Sequence, residues 1–430
     1  MLFFYSLLLT FAMLLMSPLF FLRRQKYASG FSERLGTYPE FIQDDRAVIW
    51  LHCVSVGETN AARPLVDELI KKFPSHRLVV STTTRTGQEL AEKIFGEKAD
   101  AVFYFPFDWK FSVRRALKTF RPSFVLLMET EIWPRLISEA KRAGAKVAIV
   151  NGRLSERSFQ RYSKVGRFVR RVLRQIDLAS MQSDRDVERM KWLGMTADKV
   201  HVAGNLKFDQ PIDDSASTLT EEFRRRFAID ETRPLVVAAS THEPEESLIL
   251  DALDGGIGTT CRLVLVPRHP ERFEVVADLV KKRTDCRFVR RSTPLSEDDK
   301  RAEIILLDSI GELRALYPLA DIVFVGGSLI SHGGQSILEP AAFGKAIITG
   351  HFTHNFSDAV ETFLKNDALV QLADLPVNEI KDALFAALFG LLTDPVRRDE
   401  LGHNAAAVMA ANRGATGRTI QFLTERTGDW

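Results

Sequence analysis

Glu58 stands where a carboxylate can act as a base. An apolar run reaching Val56 passes through Gly57 to Glu58 and then into a helical pattern. Open α/β sheets bind ligands beyond the carboxyl ends of their strands, and a carboxyl group held there can take a proton from a bound hydroxyl. Thr59 or Asn60 is able to cap the following helix, which would leave the Glu58 side chain free for chemistry. Polar turns recur after later apolar runs: Thr83 to Gly87, then Glu129-Thr130-Glu131, then Asn151-Gly152-Arg153. Each also has a structural reading, because acidic residues favour helix N-termini and Asn-Gly favours turns. For Glu131 the structural reading is the stronger one, since Trp133-Pro134 marks a helix start.

Between Arg153 and Arg174 the charge is one-sided. Arg153, Arg157, Arg161, Lys164, Arg167, Arg170, Arg171 and Arg174 stand against a lone Glu156. Val165, Phe168, Val169, Val172 and Ile176 recur mostly at spacings of three and four, which predicts one amphipathic helix with a cationic face. Such a face suits anionic head groups or a phosphorylated lipid; the alternative is a solvated helix.

The second half carries turns suited to phosphate. Val237 to Glu246 reads as strand, Ala239-Ser240-Thr241, helix, whose first amides can hold an anion. The next strand ends in Pro267-Arg268-His269-Pro270-Glu271-Arg272, where Arg268 offers a forked donor and Arg272 suits a structural ion pair. Gly326-Gly327-Ser328 closes a further strand, and Gly333-Gly334-Gln335-Ser336 opens a helix bearing Glu339, placed to meet a ribose. Metal signals are faint. His351 and His354 have no following Glu or neighbouring Cys, and Asp184 and Asp186 behind Ser183 read as first-turn helix charges. Asp213-Asp214 reads as a solvated turn.

The elements that must position these residues follow from length and pattern. A chain of 430 residues is expected to form two domains of roughly 150 to 200 residues each. A net charge of +2 excludes overall polyanion-binding character. Three cysteines without CxxC spacing argue against a disulfide framework or a zinc site, and a reducing compartment fits.

Strand patterns at 47–56, 78–82, 124–128, 146–150, 178–181 and 200–203 alternate with helices, and a second series lies at 235–239, 262–266, 304–307, 322–325, 346–349 and 369–372. Gly204 to Thr218 reads as the linker. The expected fold is α/β, with two Rossmann-like doubly wound domains facing across a cleft. Residues 1–22 are expected as a transmembrane anchor, 23–210 as the first domain, and 211–430 as the second with closing C-terminal helices. Leu2 to Leu22 is long enough to span a bilayer core, and Arg23, Arg24 and Lys26 behind it favour a single-pass anchor with the domains on the cytoplasmic side. A cleaved signal is the alternative.

The ordered motifs resemble those of the 3-deoxy-D-manno-octulosonic acid (Kdo) transferases of lipopolysaccharide synthesis. They are His52-Cys53-Val54-Ser55-Val56-Gly57-Glu58, Glu129-Thr130-Glu131-Ile132-Trp133-Pro134, Asn151-Gly152-Arg153-Leu154-Ser155-Glu156-Arg157-Ser158, Gly204-Asn205-Leu206-Lys207-Phe208-Asp209 and Pro267-Arg268-His269-Pro270-Glu271-Arg272-Phe273, completed by Gly326-Gly327-Ser328 and Leu338-Glu339-Pro340. The resemblance runs from the apolar N-terminal segment to about Phe356.

It implies a GT-B glycosyltransferase of the inner membrane with CMP-Kdo as donor, the tetraacylated lipid A precursor (lipid IVA) as acceptor, inversion at the anomeric carbon, and neither cofactor nor metal. On this chain it implies Glu58 as general base. It further implies donor binding by Thr241, Arg268, His269, Gly311, Gly326, Gly327, Ser328, Ser336 and Glu339, and acceptor binding by Thr83, Glu129, Arg153, Arg161 and Lys164. Gly327 and Ser328 are expected near the phosphate. Departures are modest: Ser336 replaces a common Asn, Gly152 a common Ala, and Arg85 a common Pro. The competing readings are a GT-B enzyme using a UDP-sugar, and a membrane-tethered nucleotide- or lipid-binding protein without catalysis. No nucleic-acid partner is expected.

Overall fold

The computed structural model describes residues 2–22, 29–209, 215–230, 232–254, 256–283 and 285–427. The chain divides into two compact units: Met1–Pro211 together with Asn412–Trp430, and Ile212–Ala411. Arg23, Arg24, Lys26, Asp213 and Asp214 lie outside the described residues.

The first unit holds β1 (Val48–Cys53), β2 (Arg77–Thr82), β3 (Ala101–Tyr104), β4 (Pro122–Met128), β5 (Lys146–Gly152), β6 (Leu178–Met181) and β7 (Val200–Val202). They form a parallel sheet in the order β3-β2-β1-β4-β5-β6-β7. All six residues of β1 are buried, as expected of a parallel strand covered on both faces. Alternate side chains feed two cores: Trp50, Val125 and Leu127 pack on one face, and Ile49, Leu51 and Leu126 on the other. Sequence order reverses between β1 and β4. Ligands gather at such a switch point.

The helices used below are α1 (Leu2–Leu22), α2 (Val56–Ala61), α3 (Lys110–Phe120), α4 (Pro134–Arg142), α5 (Glu156–Lys164) and α6 (Gly166–Leu173) in this unit, with α7 (Glu245–Ala252) and α8 (Leu338–Ala342) in the second. The single cationic helix expected from Arg153 to Arg174 is therefore two. The break falls at Val165, with φ −114° and ψ 31°, where a β-branched residue precedes Gly166 and both favour helix weakly. α1 has the bounds of the expected anchor, with its side chains described as far as Leu15. No helix among the described residues is long and apolar enough to cross a membrane.

The second unit repeats the plan with β8 (Leu235–Thr241), β9 (Arg262–Pro267), β10 (Phe288–Arg290), β11 (Ile304–Leu306), β12 (Ile322–Val325), β13 (Ala346–Thr349) and β14 (Val370–Gln371), all parallel, in the order β10-β11-β9-β8-β12-β13-β14. Its switch point lies between β8 and β12.

The C-terminal helix Ala415–Thr427 departs from the expectation that 211–430 is one domain. Ala415, Ile420 and Leu423 are buried in the core that holds Ile49 and Leu51 of the first unit. The Asp209 carboxylate accepts the Gly414 and Thr416 amides at 2.7 and 2.6 Å, and Arg418 donates to the Ala203 carbonyl at 2.7 Å. An apolar stripe and two capping bonds hold this helix to the first unit.

Candidate active site

In the first unit, Glu58 follows β1 and Glu129 follows β4, so the two carboxylates flank the switch point. Ser55 is the N-cap of α2, its Oγ accepting the Glu58 amide at 3.4 Å. The Glu58 side chain turns back: Oε2 accepts the Val54 amide at 2.7 Å and Oε1 accepts the Ser55 hydroxyl at 3.1 Å. This is a variant of the capping box, and it corrects the expectation that Thr59 or Asn60 caps the helix and leaves Glu58 unengaged. The Thr59 hydroxyl instead donates to the Ser55 carbonyl at 2.9 Å.

Glu58 is only 6% exposed. Burial, then the negative charge of Glu129, and more weakly that of Glu131, push its carboxyl up to about 8, against the opposing bonds from Val54 and Ser55. Burial and Glu129 raise the Glu131 carboxyl as well. A carboxyl tuned into the neutral range can hold or release a proton near physiological pH.

Glu129 and Asn151 both have positive φ, 53° and 54°. Such non-glycine backbones cost about 1 kcal/mol or more and collect at functional sites. Here each holds a strand end: the Glu129 amide donates to the Val150 carbonyl at 2.9 Å, and Asn151 Oδ1 accepts the Leu206 amide at 2.9 Å.

The Thr130 hydroxyl donates to the Arg153 carbonyl and accepts the Arg153 amide, which ties the turn after β4 to the turn after β5. Thr83 follows β2; its carbonyl accepts from Arg34, while its buried hydroxyl has no protein partner among the described residues. Burial, and then the charge of Glu131, raises the Tyr162 hydroxyl of α5. Arg161 and Lys164 on the same helix are exposed, Arg161 donating to the Ser158 hydroxyl at 3.1 Å. Asp186 sits in a first helical turn as expected, accepting the Leu154 amide at 2.9 Å.

At the switch point of the second unit a side chain of the protein fills the glycine-rich turn. The Glu245 carboxylate, fully buried at the start of α7, accepts four amides: those of Gly327, Ser328 and Leu329 at 2.7, 2.9 and 2.9 Å, and that of His242 at 2.9 Å. The Ser328 hydroxyl donates to the Val325 carbonyl and accepts the Gly350 amide at 2.8 Å. The amides of Gly327 and Ser328, two residues expected near the phosphate, are thus taken by a carboxyl of the protein itself.

Gly326 is required by closeness, since a Cβ there would lie 2.6 Å from the Ser240 carbonyl and 2.8 Å from Glu245. Thr241 is also engaged. It is buried, donating to Glu246 at 2.9 Å, and Glu246 in turn holds Arg272 at 2.8 Å, the structural ion pair expected of Arg272.

Arg268 and His269 remain at the rim. Both are exposed, and Arg268, unlike Arg272, enters no ion pair among the described residues. The His269 ring lies 5.3 Å from that of His242, which lies 4.7 Å from that of His332. Burial first, then the neighbouring His332 and His269, lowers His242 to about 4, so its imidazole is neutral, and its Nδ1 has no protein partner among the described residues. Gly327 brings its backbone against this ring: a Cβ there would lie 3.4 Å from His242 Cε1.

Ser336 accepts the Leu338 amide at 3.4 Å, and Glu339 is exposed in the first turn of α8. Gly311 lies in the exposed loop after β11 with φ 89°. His242 and Glu245 were not singled out from sequence. Their one signal is the run His242-Glu243-Pro244-Glu245-Glu246 behind a buried strand. Among the described residues no cluster of His, Cys, Asp or Glu is arranged to hold a metal ion.

Two parallel-sheet α/β units in one chain make a GT-B-like fold, which enzymes of more than one activity share. A UDP-GlcNAc 2-epimerase from Neisseria meningitidis shares the fold at a TM-score of 0.58, covering 88% of this chain and 99% of its own, with 14% identity. Residues 29–210 match the family model described as 3-deoxy-D-manno-octulosonic-acid transferase (kdotransferase). The Haemophilus influenzae 3-deoxy-D-manno-octulosonic acid transferase is 37% identical over 93% of this chain and 91% of its own length. The Bordetella pertussis enzyme of the same description is 33% identical over 89% and 88%. The chain belongs to the Kdo transferases, the glycosyltransferases of lipopolysaccharide core synthesis.

Proposed function

We propose that this Kdo transferase takes Kdo from CMP-Kdo and passes it, with inversion, to a hydroxyl of lipid IVA at the cytoplasmic face of the inner membrane, with Glu58 as general base. The observation that carries this reading is the Glu58 carboxyl: buried at the β1–β4 switch point, raised to about 8, and beside Glu129 and Glu131. In the step, ionised Glu58 accepts the hydroxyl proton as the acceptor oxygen attacks the anomeric carbon. The bond from that carbon to the CMP phosphate oxygen breaks, and CMP leaves with the electron pair. No cofactor enters the step.

The second unit supplies the donor side. With the Gly327 and Ser328 amides given to Glu245, the groups suited to the departing phosphate are the Arg268 guanidinium and the histidines above the Gly327 turn. Arg268 meets phosphate as a forked, charge-assisted donor, and such donors stabilise charge that develops as the bond breaks. The exposed Arg161 and Lys164 of α5 suit the anionic lipid acceptor.

The test is a reaction of the purified chain with CMP-Kdo and lipid IVA, read by product mass spectrometry. A mass gain of one or more Kdo units is expected. Transfer only from a UDP-sugar, or no turnover from a chain that still binds CMP, would overturn the reading.

A further inference from the structure

α1 is built inside-out for a helix in water. Leu2, Tyr5, Ser6, Leu9, Thr10 and Met13 recur at helical spacing on one side and are half-buried against the first unit. That side carries Tyr5, Ser6 and Thr10, and the first unit engages all three. Arg135, itself buried at the start of α4, donates through Nε to the Ser6 hydroxyl and through Nη2 to the Leu2 carbonyl, both at 2.8 Å. Trp109 Nε1, just before α3, donates to the Thr10 hydroxyl at 3.1 Å. The Tyr5 ring stacks on Phe168 of α6 at 6.0 Å. The opposite side is a row of large apolar side chains, among them Phe3, Phe4, Leu8, Phe11 and Leu15, each more than half exposed.

These contacts bear on how α1 meets a membrane. They run from Leu2 to Thr10, a rise of about 12 Å along the helix axis. A helix that carried Leu2 across a bilayer, away from the folded unit, would lose every one of them.

The surroundings complete a membrane-facing surface. On one flank stand the exposed Arg167, Arg170, Arg171 and Arg174 of the α6 segment. A cavity of about 260 Å³ opens there between α1 and α6, lined by Leu2, Phe3 and Phe168 with Arg171 beside them. On the other flank, Trp109 stacks on Phe111 at 5.6 Å, and Phe111 and Phe31 are about half exposed. An apolar row between aromatic and cationic margins matches the depth profile of one leaflet: acyl chains, interface, anionic head groups.

We propose that α1 is an interfacial helix. Its polar side is bonded to the first unit, its apolar side sinks into an anionic leaflet, and its Leu2 end stays on the same side of the membrane as the catalytic residues. This departs from the single-pass anchor expected from sequence, and it stands independently of the transfer chemistry.

The experiment uses the full chain carrying a protease-cleavable tag ahead of Met1, produced in a Gram-negative host. The tag is expected to survive protease in intact spheroplasts and to be cut in inverted inner-membrane vesicles. Cutting in spheroplasts would overturn the proposal in favour of a spanning helix. In parallel, Phe4→Gln with Leu8→Gln alters only the outward side. Partition into phosphatidylglycerol-containing vesicles is expected to fall at least about tenfold with the thermal melt unchanged. Undiminished partition would overturn the proposal, as would a lipid-independent dimer lost in this variant, which would give the face to a second copy of the chain.

Discussion

The Glu245 carboxylate lies inside the turn that carries Ser328, 2.9 Å from the Ser328 amide, and no solvent reaches it. It replaces within the fold the anion that a glycine-rich turn usually takes from a ligand. Glu245→Gln leaves an amide NH₂ pointing at backbone donors. The variant is expected to lose ~2–4 kcal/mol of stability and to bind CMP more weakly, read by thermal melting and nucleotide titration. An unchanged melt would show that the turn stands without the charge.

Glu58→Gln separates capping from catalysis. A Gln oxygen still accepts the Val54 amide and its NH₂ can donate to the Ser55 hydroxyl, so α2 keeps its start. Turnover is expected to fall by about 10² to 10⁴ while CMP affinity holds. A variant with near-normal turnover would remove Glu58 from the step.

The pH dependence follows from the same carboxyl. A base with its pKa raised to about 8 is mostly protonated at neutral pH, so kcat/KM is expected to rise with pH through that region. Glu129→Gln removes the largest neighbouring charge that raises it, and should shift the acid limb to lower pH. An unmoved limb would assign the titration to another group.

Stability carries the opposite sign. Folding raises Glu58 from 4.5 to about 8, so the folded state favours the protonated form. That contribution is complete below about pH 4.5 and is lost as pH rises to about 8. Glu58→Gln, which never ionises, should therefore gain stability relative to the parent between those values, by a few kcal/mol at most by pH 9. Melting of both chains at pH 5 and pH 9 measures the crossover.

Arg268→Ala tests the donor side with little structural cost, because this guanidinium enters no ion pair among the described residues. CMP affinity is expected to drop about 10- to 100-fold with an unchanged melt. Arg272→Ala should instead lower the melt, since it leaves buried Glu246 without its cationic partner.

Much of this was written in the order of the residues. Buried runs such as those around Ile49 and Leu126 read directly as parallel strands, whereas the strand order that sets both switch points is not written in their spacing. Two of the four edge strands did not read so: Ala101–Tyr104 and Phe288–Arg290 are short and mostly half-buried, so neither an unbroken apolar run nor a clean alternation marks them. Glu58 was legible as a carboxylate in a turn, whereas its raised pKa depends on burial and then on Glu129, 71 positions away in sequence. Glu245 was hidden for a related reason. An acidic residue opening a helix ordinarily faces water, and only the return of the chain at Gly327 encloses it.

The C-terminal helix Ala415–Thr427 completes the core of the first unit after the whole second unit has intervened. On a ribosome, the core of the first unit therefore lacks one of its helices until residues 415–427 emerge. Ile49, Leu51 and their neighbours wait for Ala415, Ile420 and Leu423 through the synthesis of about 200 further residues. The stretch 212–411 carries its own sheet and core, whereas any fragment ending before residue 412 leaves the unit that bears Glu58 unsealed.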